Sequence, residues 1–221
     1  MNGNKTASYI AVMAVVLLGV SAAHVNAMKV DWQANGNTAL TLADGVTGVP
    51  QGSLVELGIF KNSLSDAAIA ALGVNPTAIQ NAFSAWASDT IGDNVNAEGA
   101  FGSASDSPGI GFFNSSAFLV VFNNINPSLA TQVGVIKGPW VFPASNGADK
   151  ATFYVDDVTA VMVLIGGYGS GTYSDSTLNG GTDWFGDGAN SVELAVPEPS
   201  TYALVSMALA GLIGLIRRRR R

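Results

Sequence analysis

The sequence predicts a mainly β fold: a β-sandwich-like single domain with a short helical insertion, preceded by a leader and followed by a C-terminal transmembrane helix. Short apolar or alternating runs recur between glycine, asparagine and proline turns, which is typical of β-strands. One region changes to helical spacing. The chain shows no repeat of about 20 to 50 residues, which argues against a solenoid or a propeller.

Seven runs are predicted to be strands. The clearest is 116–122, which is apolar on both faces and therefore suits a central strand. A turn is expected at 137–139, and a short edge segment at 140–143, because prolines bracket it. The predicted strands are 38–42, 54–60, 116–122, 131–136, 152–155, 158–165 and 191–196.

The helical insertion lies between the second and third of these strands. Ser65 and Asp66 form an N-cap sequence for a helix that runs to Leu72 and stops at Gly73. Pro76 suits the first position of a second helix, predicted to continue to Ser88. Ile79, Phe83 and Trp86 would then share one face that packs over a sheet. Irregular loops are expected at 89–111, 166–171 and 174–188.

Residues 1–27 read as a signal peptide. Lys5 supplies a positive charge, an apolar run follows at 10–20, and Val25 and Ala27 are small residues at the −3 and −1 positions. Cleavage is expected after Ala27, with Ala23 as the competing position. An uncleaved anchor is disfavoured because the apolar run spans only about eleven residues.

The C-terminal 25 residues have three parts in fixed order. Pro197, Glu198 and Pro199 form an extended, accessible handle, because each proline fixes φ and removes a backbone donor. Residues 200–216 carry no charge and, as a helix, would cover about 25 Å, close to the hydrocarbon thickness of a bilayer. Five arginines follow and are expected to hold that end in the cytoplasm: Arg217, Arg218, Arg219, Arg220 and Arg221.

This tripartite end resembles the PEP-CTERM sorting signal of Gram-negative bacteria. The resemblance covers about a tenth of the chain and rests on the Pro197-Glu198-Pro199 motif, the span and the arginine cluster. It implies that an exosortase reads the signal at the inner membrane, and that the protein accompanies exopolysaccharide. An ordinary C-terminal anchor is the alternative, and both interpretations place the domain outside the inner membrane. The resemblance implies nothing about the activity of the domain itself.

Residues 28–196 are predicted to form one exported domain. This segment holds four lysines and fifteen acidic residues, a net charge of −11, whereas the whole chain carries −6 because the arginines lie in the tail. Such a surface disfavours binding to nucleic acid, anionic lipid and acidic polysaccharide unless divalent cations bridge the charges. The chain has no cysteine, so no disulfide holds the domain together.

Composition also restricts catalysis. The one histidine, His24, lies in the leader, and residues 28–196 contain no cysteine or arginine. A Ser-His-Asp triad, a thiol nucleophile, a histidine zinc site and an arginine phosphate clamp are therefore excluded there. A carboxylate pair could hydrolyse glycosides, and the available acids are Glu56, Asp156, Asp157, Asp183 and Asp187. Adjacent aspartates on a strand point to opposite faces, so a turn is the better account of Asp156 and Asp157. We expect no enzymatic activity and no cofactor.

Two weaker ligand hypotheses remain. Asp175, Asp183 and Asp187 lie in a glycine-rich stretch that could fold oxygens around calcium, although solvated turn acids are the simpler interpretation. Trp184 and Tyr173, expected in loops, are candidates for stacking on sugar rings, whereas Trp86 and Trp140 are expected to pack in the core.

The sequence therefore predicts an exported surface or extracellular-matrix protein without enzymatic activity. Its expected partners are signal peptidase, an exosortase, the inner membrane and exopolysaccharide. The alternative is a carbohydrate-binding module or glycan hydrolase that acts on exopolysaccharide.

Overall fold

The computed structural model describes residues 30–34, 36–93, 98–105, 108–144, 151–155, 160–173 and 185–197. Strands dominate these ranges and the helices are short, which confirms the mainly β class. The strands are β1 (Val30–Ala34), β2 (Gly36–Thr41), β3 (Leu54–Phe60), β4 (Phe83–Thr90), β5 (Phe101–Ser105), β6 (Ser116–Phe122), β7 (Val133–Val141), β8 (Ala151–Tyr154), β9 (Met162–Ile165), β10 (Gly167–Tyr173) and β11 (Phe185–Glu193).

Two short α-helices form the predicted insertion, α1 (Asp66–Ala70) and α2 (Pro76–Ala82). Their N-termini are where the sequence places them. The Ser65 hydroxyl accepts a hydrogen bond from the Ala68 amide at 3.2 Å, and the Asn75 carboxamide accepts one from the Ala78 amide at 3.0 Å. Each cap satisfies an amide that has no partner inside the helix. Single 3-10 turns lie at Lys61–Ser63, Ile110–Phe112 and Pro127–Leu129.

The described strands form three sheets. The largest has the order β4-β3-β6-β7-β9, so β6 is its central strand, as its apolar sequence predicts. The second has the order β5-β1-β8, and the third the order β10-β11-β2. In the third sheet β11 lies between β10, which is antiparallel to it, and β2, which is parallel. The last strand of the domain is therefore a central strand.

Both faces of the five-stranded sheet are buried. Along β6, Leu119 and Val121 point into a large cluster that includes residues of all three sheets. Phe118 and Val120 point the other way, into a second cluster with Ile69 of α1 and residues of α2. This alternation explains why every residue of β6 after Ser116 is apolar and buried. The helical insertion covers one face of the sheet, as expected, whereas the more specific two-sheet sandwich stays a prediction.

The sequence predicts a second helix that is longer than the one observed. It ends at Ala82, and residues 83–90 form β4, which pairs with β3 from Phe60↔Phe83 to Leu54↔Thr90. The Phe83 ring lies 5.2 Å from that of Phe60, and the Trp86 ring lies 5.4 Å from that of Phe142 in the other cluster. A helix would put Phe83 and Trp86 on one face. The strand instead delivers them to two separate cores, so tertiary packing overrides the local pattern.

The predicted turn at 137–139 is also wrong. Lys137, Gly138 and Pro139 continue β7, and the pairing of β6 with β7 shifts register opposite them, between Ser116 and Phe118. Pro139 is exposed at this irregularity. A proline without an N–H is tolerated there, because a register shift interrupts the ladder.

The three predicted loops contain strands. Within 89–111 the chain forms β5, and within 166–188 it forms β10 and the first residues of β11. Sequence reasoning also missed β1, although Val30, Trp32 and Ala34 alternate there as buried residues. Glycine-rich sequence has a low local preference for strands. Pairing of β10 with β11, and of β11 with β2, supplies backbone hydrogen bonds that residue propensities do not take into account.

The predicted leader and the predicted span at 200–216 lie outside the described residues. In the ranges that are described, no helix is long and apolar enough to cross a membrane. The domain limits at 28 and 196 stay predictions.

Candidate functional site

Residues 191–195, here called the exit segment, join two sheets just before the C-terminal tail. The Leu194 amide donates to the carbonyl oxygen of Thr41 on β2 at 2.8 Å. Ala195 then exchanges two backbone hydrogen bonds with Val133 on β7, at 3.0 and 3.1 Å. Leu194 is buried, whereas Val196 is 46% exposed. The fold therefore holds the chain until Ala195 and releases it one residue later.

Glycines surround the exit segment and leave room for it. A Cβ on Gly134 would lie 2.6 Å from the Leu194 side chain. Gly166 has φ +122°, and a Cβ there would overlap the carbonyl oxygen of Glu193. Glycine is the residue that both positions require, because the first is crowded and the second has a backbone conformation that side chains disfavour. The close fit shows that the path of the last strand is tightly specified.

These observations define the class: a mainly β domain whose central strand β11 leads to two exposed residues, Val196 and Pro197. The family model of the PEP-CTERM protein-sorting motif matches residues 195–221. The chain therefore carries this motif, as its C-terminal sequence predicts. The match begins at Ala195, the last residue that pairs with a sheet in the described structure. Searches of curated proteins and of solved structures found no match.

The motif implies exosortase-dependent sorting of an exported protein that begins as a membrane-anchored precursor. Of the predicted sorting residues, the structure describes Pro197, which is exposed. Glu198, Pro199 and the arginines at 217–221 lie outside the described residues, as does Ala27 at the predicted leader cleavage site. Their roles stay predictions.

The predicted sugar-stacking and calcium residues are only partly visible. Trp184, Asp175 and Asp183 lie outside the described residues. Tyr173 is the last residue of β10 and Asp187 belongs to β11, so the prediction that they lie in loops is wrong. The proposed roles of Tyr173 and Asp187 in ligand binding stay predictions. Among the described residues, no group of three acidic or histidine side chains could hold a metal.

Two tryptophans behave as the sequence predicts. Trp140 is 7% exposed and belongs to the large core cluster, and Trp86 packs against the same cluster. The carboxylate candidate Glu56 has a raised pKa because burial disfavours its charge, and a hydrogen bond from Gln80 at 3.3 Å partly opposes this. Asp156 and Asp157 lie outside the described residues.

A second candidate site, here called the polar cleft, opens at one end of the five-stranded sheet and encloses about 480 Å³. The end of β3 and the start of β6 meet there, because these strands are antiparallel neighbours with Gly58 opposite Phe118. Its polar side chains come from both strand ends and from α1 and β7: Lys61, Asn62, Ser63, Asp66, Asn114, Ser115, Ser116 and Lys137. Apolar carbons of Ile59, Phe60, Leu64 and Phe118 complete the lining.

The charged groups of the polar cleft already have partners. The Lys137 ammonium lies 2.8 and 2.9 Å from the two Asp66 carboxylate oxygens and 5.7 Å from the centre of the Phe118 ring. The Lys61 ammonium donates to the carbonyl oxygen of Asn81 at 2.8 Å. These two lysines are the basic residues of the described ranges, and both line the cleft. The carboxylate of Asp66 neutralises Lys137, whereas Lys61 keeps its positive charge.

Backbone strain is concentrated in the polar cleft. Among the described residues, three residues other than glycine have a positive φ: Asn62 at 57°, Ser63 at 48° and Asn114 at 57°. All three line this cleft. Left-handed backbone costs a residue with a Cβ about 1–2 kcal/mol, although asparagine tolerates it better than serine. Such residues cluster at ligand sites more often than elsewhere.

Sequence reasoning missed the polar cleft. The available signal is a repeated dipeptide, Asn62-Ser63 after β3 and Asn114-Ser115 before β6. Asn-Ser pairs are common in turns, so neither pair is distinctive alone. Only the antiparallel pairing of β3 with β6 brings the two pairs to the same end of the sheet.

Proposed function

We propose that this chain is a cell-surface or extracellular-matrix protein without enzymatic activity, sorted by an exosortase and associated with exopolysaccharide. The observation that carries the proposal is the position of the sorting motif. Its match begins at Ala195, where the described fold ends, and Pro197 is exposed two residues later. A processing enzyme needs an accessible segment, and the exposure of Pro197, the residue of the motif that the structure describes, supports this requirement.

The short distance between domain and membrane supports the same proposal. Five Cα-to-Cα steps lead from Ala195 to Ser200, where the predicted span begins. A fully extended chain covers at most about 3.6 Å per step, so the five steps reach about 18 Å. In the precursor the domain stands next to the bilayer, and the enzyme reads the motif within that gap.

Composition supports a role other than catalysis. Residues 28–196 contain no histidine, cysteine or arginine, and their net charge is −11. Signal peptidase would remove the leader after Ala27, and Arg217–221 would keep the tail end cytoplasmic. The exported domain would then act by binding and by forming part of the matrix.

The sorting step is tested by changing the motif in the full chain. Replacing Pro197, Glu198 and Pro199 together with alanine should leave an unprocessed precursor in the membrane fraction of cells that contain an exosortase. The unmodified protein should appear at the cell surface or in the medium, shortened at its C-terminus, when fractions are compared by immunoblot and intact mass. Thr77→Ala, an exposed polar residue of α2, is the control. Normal processing of the triple variant would contradict the proposal.

The same mass measurement tests the N-terminal prediction. An exported protein that begins at Met28 agrees with cleavage after Ala27, and one that begins at His24 supports the competing position. An intact leader on the surface protein would contradict both.

A further inference from the structure

We propose that the polar cleft binds a neutral saccharide, one or two sugar units of an uncharged polysaccharide chain. The inference rests on the proposed association with polysaccharide and names the site and the ligand class. It moves the binding site away from Trp184 and Tyr173, the aromatic candidates of the sequence, to the joined ends of β3 and β6.

The polar groups of the cleft match sugar hydroxyls. Each hydroxyl both donates and accepts a hydrogen bond, and the carboxamides of Asn62 and Asn114 do the same. The hydroxyls of Ser63, Ser115 and Ser116 add groups of equal versatility. Carbon atoms of Ile59 and Leu64 supply an apolar surface for the C–H face of a pyranose. The volume of about 480 Å³ lies within the usual range for small-molecule sites.

The charges of the cleft argue against an ionic ligand. Lys137 is paired with Asp66, so an anion would have to compete with that carboxylate. Lys61 keeps its charge, but its side chain is exposed, so water and salt screen its attraction for an anion. An anionic polymer would also be repelled by a domain of net charge −11. A cation would find one carboxylate, that of Asp66, already neutralised by Lys137. An uncharged ligand meets neither obstacle.

The left-handed residues indicate that the cleft is organised for a ligand. Asn62, Ser63 and Asn114 adopt a backbone conformation that costs free energy, and the structure keeps all three where glycine would relieve it. The Lys137–Asp66 pair links β7 to α1 within the lining of the cleft. A site whose polar groups are held in place before binding loses less entropy when the ligand arrives.

Binding is tested on the full chain in a sugar-free zwitterionic detergent, because alkyl-glycoside detergents would compete. The probes are neutral gluco-, manno- and galacto-oligosaccharides of four to six units, with oligogalacturonate and inorganic phosphate as charged comparisons. Isothermal titration calorimetry should show saturable binding of at least one neutral probe. Binding to the charged probes should be at least tenfold weaker.

The variants are chosen so that the fold survives. Asn62→Gly and Asn114→Gly remove the carboxamides and relieve the positive φ, so the double variant should fold and should bind at least tenfold more weakly. Thr77→Ala should bind as the unmodified chain does. Circular dichroism before each titration confirms that a loss of binding is not a loss of structure.

Several outcomes would overturn the inference. They are the absence of binding to every neutral probe, stronger binding of oligogalacturonate, unchanged affinity of the Asn62→Gly/Asn114→Gly variant, and loss of binding in Trp184→Ala or Tyr173→Ala alone. None of these affects the sorting test, which follows the Pro197–Pro199 replacement in cells. The two proposals can therefore fail separately.

Discussion

The exit segment and the polar cleft lie in one domain but are built in opposite ways. Around the exit segment, Gly134 leaves room for the buried Leu194 side chain and Gly166 leaves room for the backbone of Glu193. Around the cleft, Asn62, Ser63 and Asn114 keep side chains at positions where glycine would be less strained. The comparison shows that close packing secures the part of the chain that must hold the tail, whereas strain and open polar surface mark the part available to a ligand.

The largest expected effect is Gly166→Ala. It combines strain at φ +122°, about 1–3 kcal/mol, with overlap against the carbonyl of Glu193, about as much again, so the free energy of unfolding should fall by about 4 kcal/mol. Urea denaturation followed by tryptophan fluorescence measures this. Gly73→Ala is the matched control, because Gly73 has φ +59° with no atom within 4 Å of the added Cβ. It should cost about 1 kcal/mol. Equal costs would show that crowding at the exit segment is unimportant.

Leu194→Ala should lower the free energy of unfolding by about 3 kcal/mol, because Leu194 is 1% exposed within the large cluster. Val196→Ala, two residues later and 46% exposed, should change it by less than about 0.5 kcal/mol. The pair locates the boundary between the held and the released chain. Similar effects of both changes in denaturation would place that boundary beyond Ala195.

Ser63→Gly should raise the free energy of unfolding, whereas the preceding changes lower it. Relief of the positive φ at Ser63 gains about 1 kcal/mol, partly offset by the greater freedom of glycine in the unfolded chain, so stability should rise by about 0.5 kcal/mol. The same denaturation experiment measures it. A decrease would mean that the Ser63 side chain stabilises the fold, and the contrast between the two regions would weaken.

The smallest expected effect is a pH response from outside both regions. Burial, together with the neighbouring Asp93, raises the pKa of Asp89 on β4, while the Thr90 amide and Ser103 oppose this. The folded protein therefore holds that proton more tightly than the unfolded chain. This contribution is complete below the ordinary Asp pKa of about 3.9 and is lost as pH rises through the raised value. Asp89→Asn should remove this loss of stability. The gain in stability of the variant over the unmodified chain should therefore be larger at pH 7 than at pH 4.

Asp44→Asn is the control of opposite sign. Hydrogen bonds from the Thr47 hydroxyl and amide lower the pKa of Asp44, in the turn beside the exit segment. Its contribution is present above the ordinary Asp pKa and is lost as pH falls through the lowered value. Urea midpoints between pH 3 and pH 8 should therefore shift in opposite directions for the two variants, relative to the unmodified chain. Shifts in the same direction would contradict both assignments.

Local chemistry made parts of the fold predictable. Ser65 and Asn75 cap helices because their side chains accept amide hydrogen bonds within three residues. The apolar sequence of 116–122 required burial on both faces, which a central strand provides. The strand at 83–90 could not be foreseen, because its residues suit a helix until Phe60 and Phe142 are placed beside them. The polar cleft could not be foreseen either, because Asn62 and Asn114 lie 52 positions apart in the sequence.

The sequence by itself determined the sorting motif, the absence of histidine, cysteine and arginine from residues 28–196, and the mainly β class. These features depend on which residue types are present and on their order along a short stretch of chain. Contact with a bilayer, recognition by a processing enzyme and local hydrogen bonds all act on such stretches. Only the tertiary structure decided that β11, which ends at Glu193, is a central strand, and that two Asn-Ser pairs line one cleft. Both depend on which distant strands pair, and pairing is set by the burial of two cores at once.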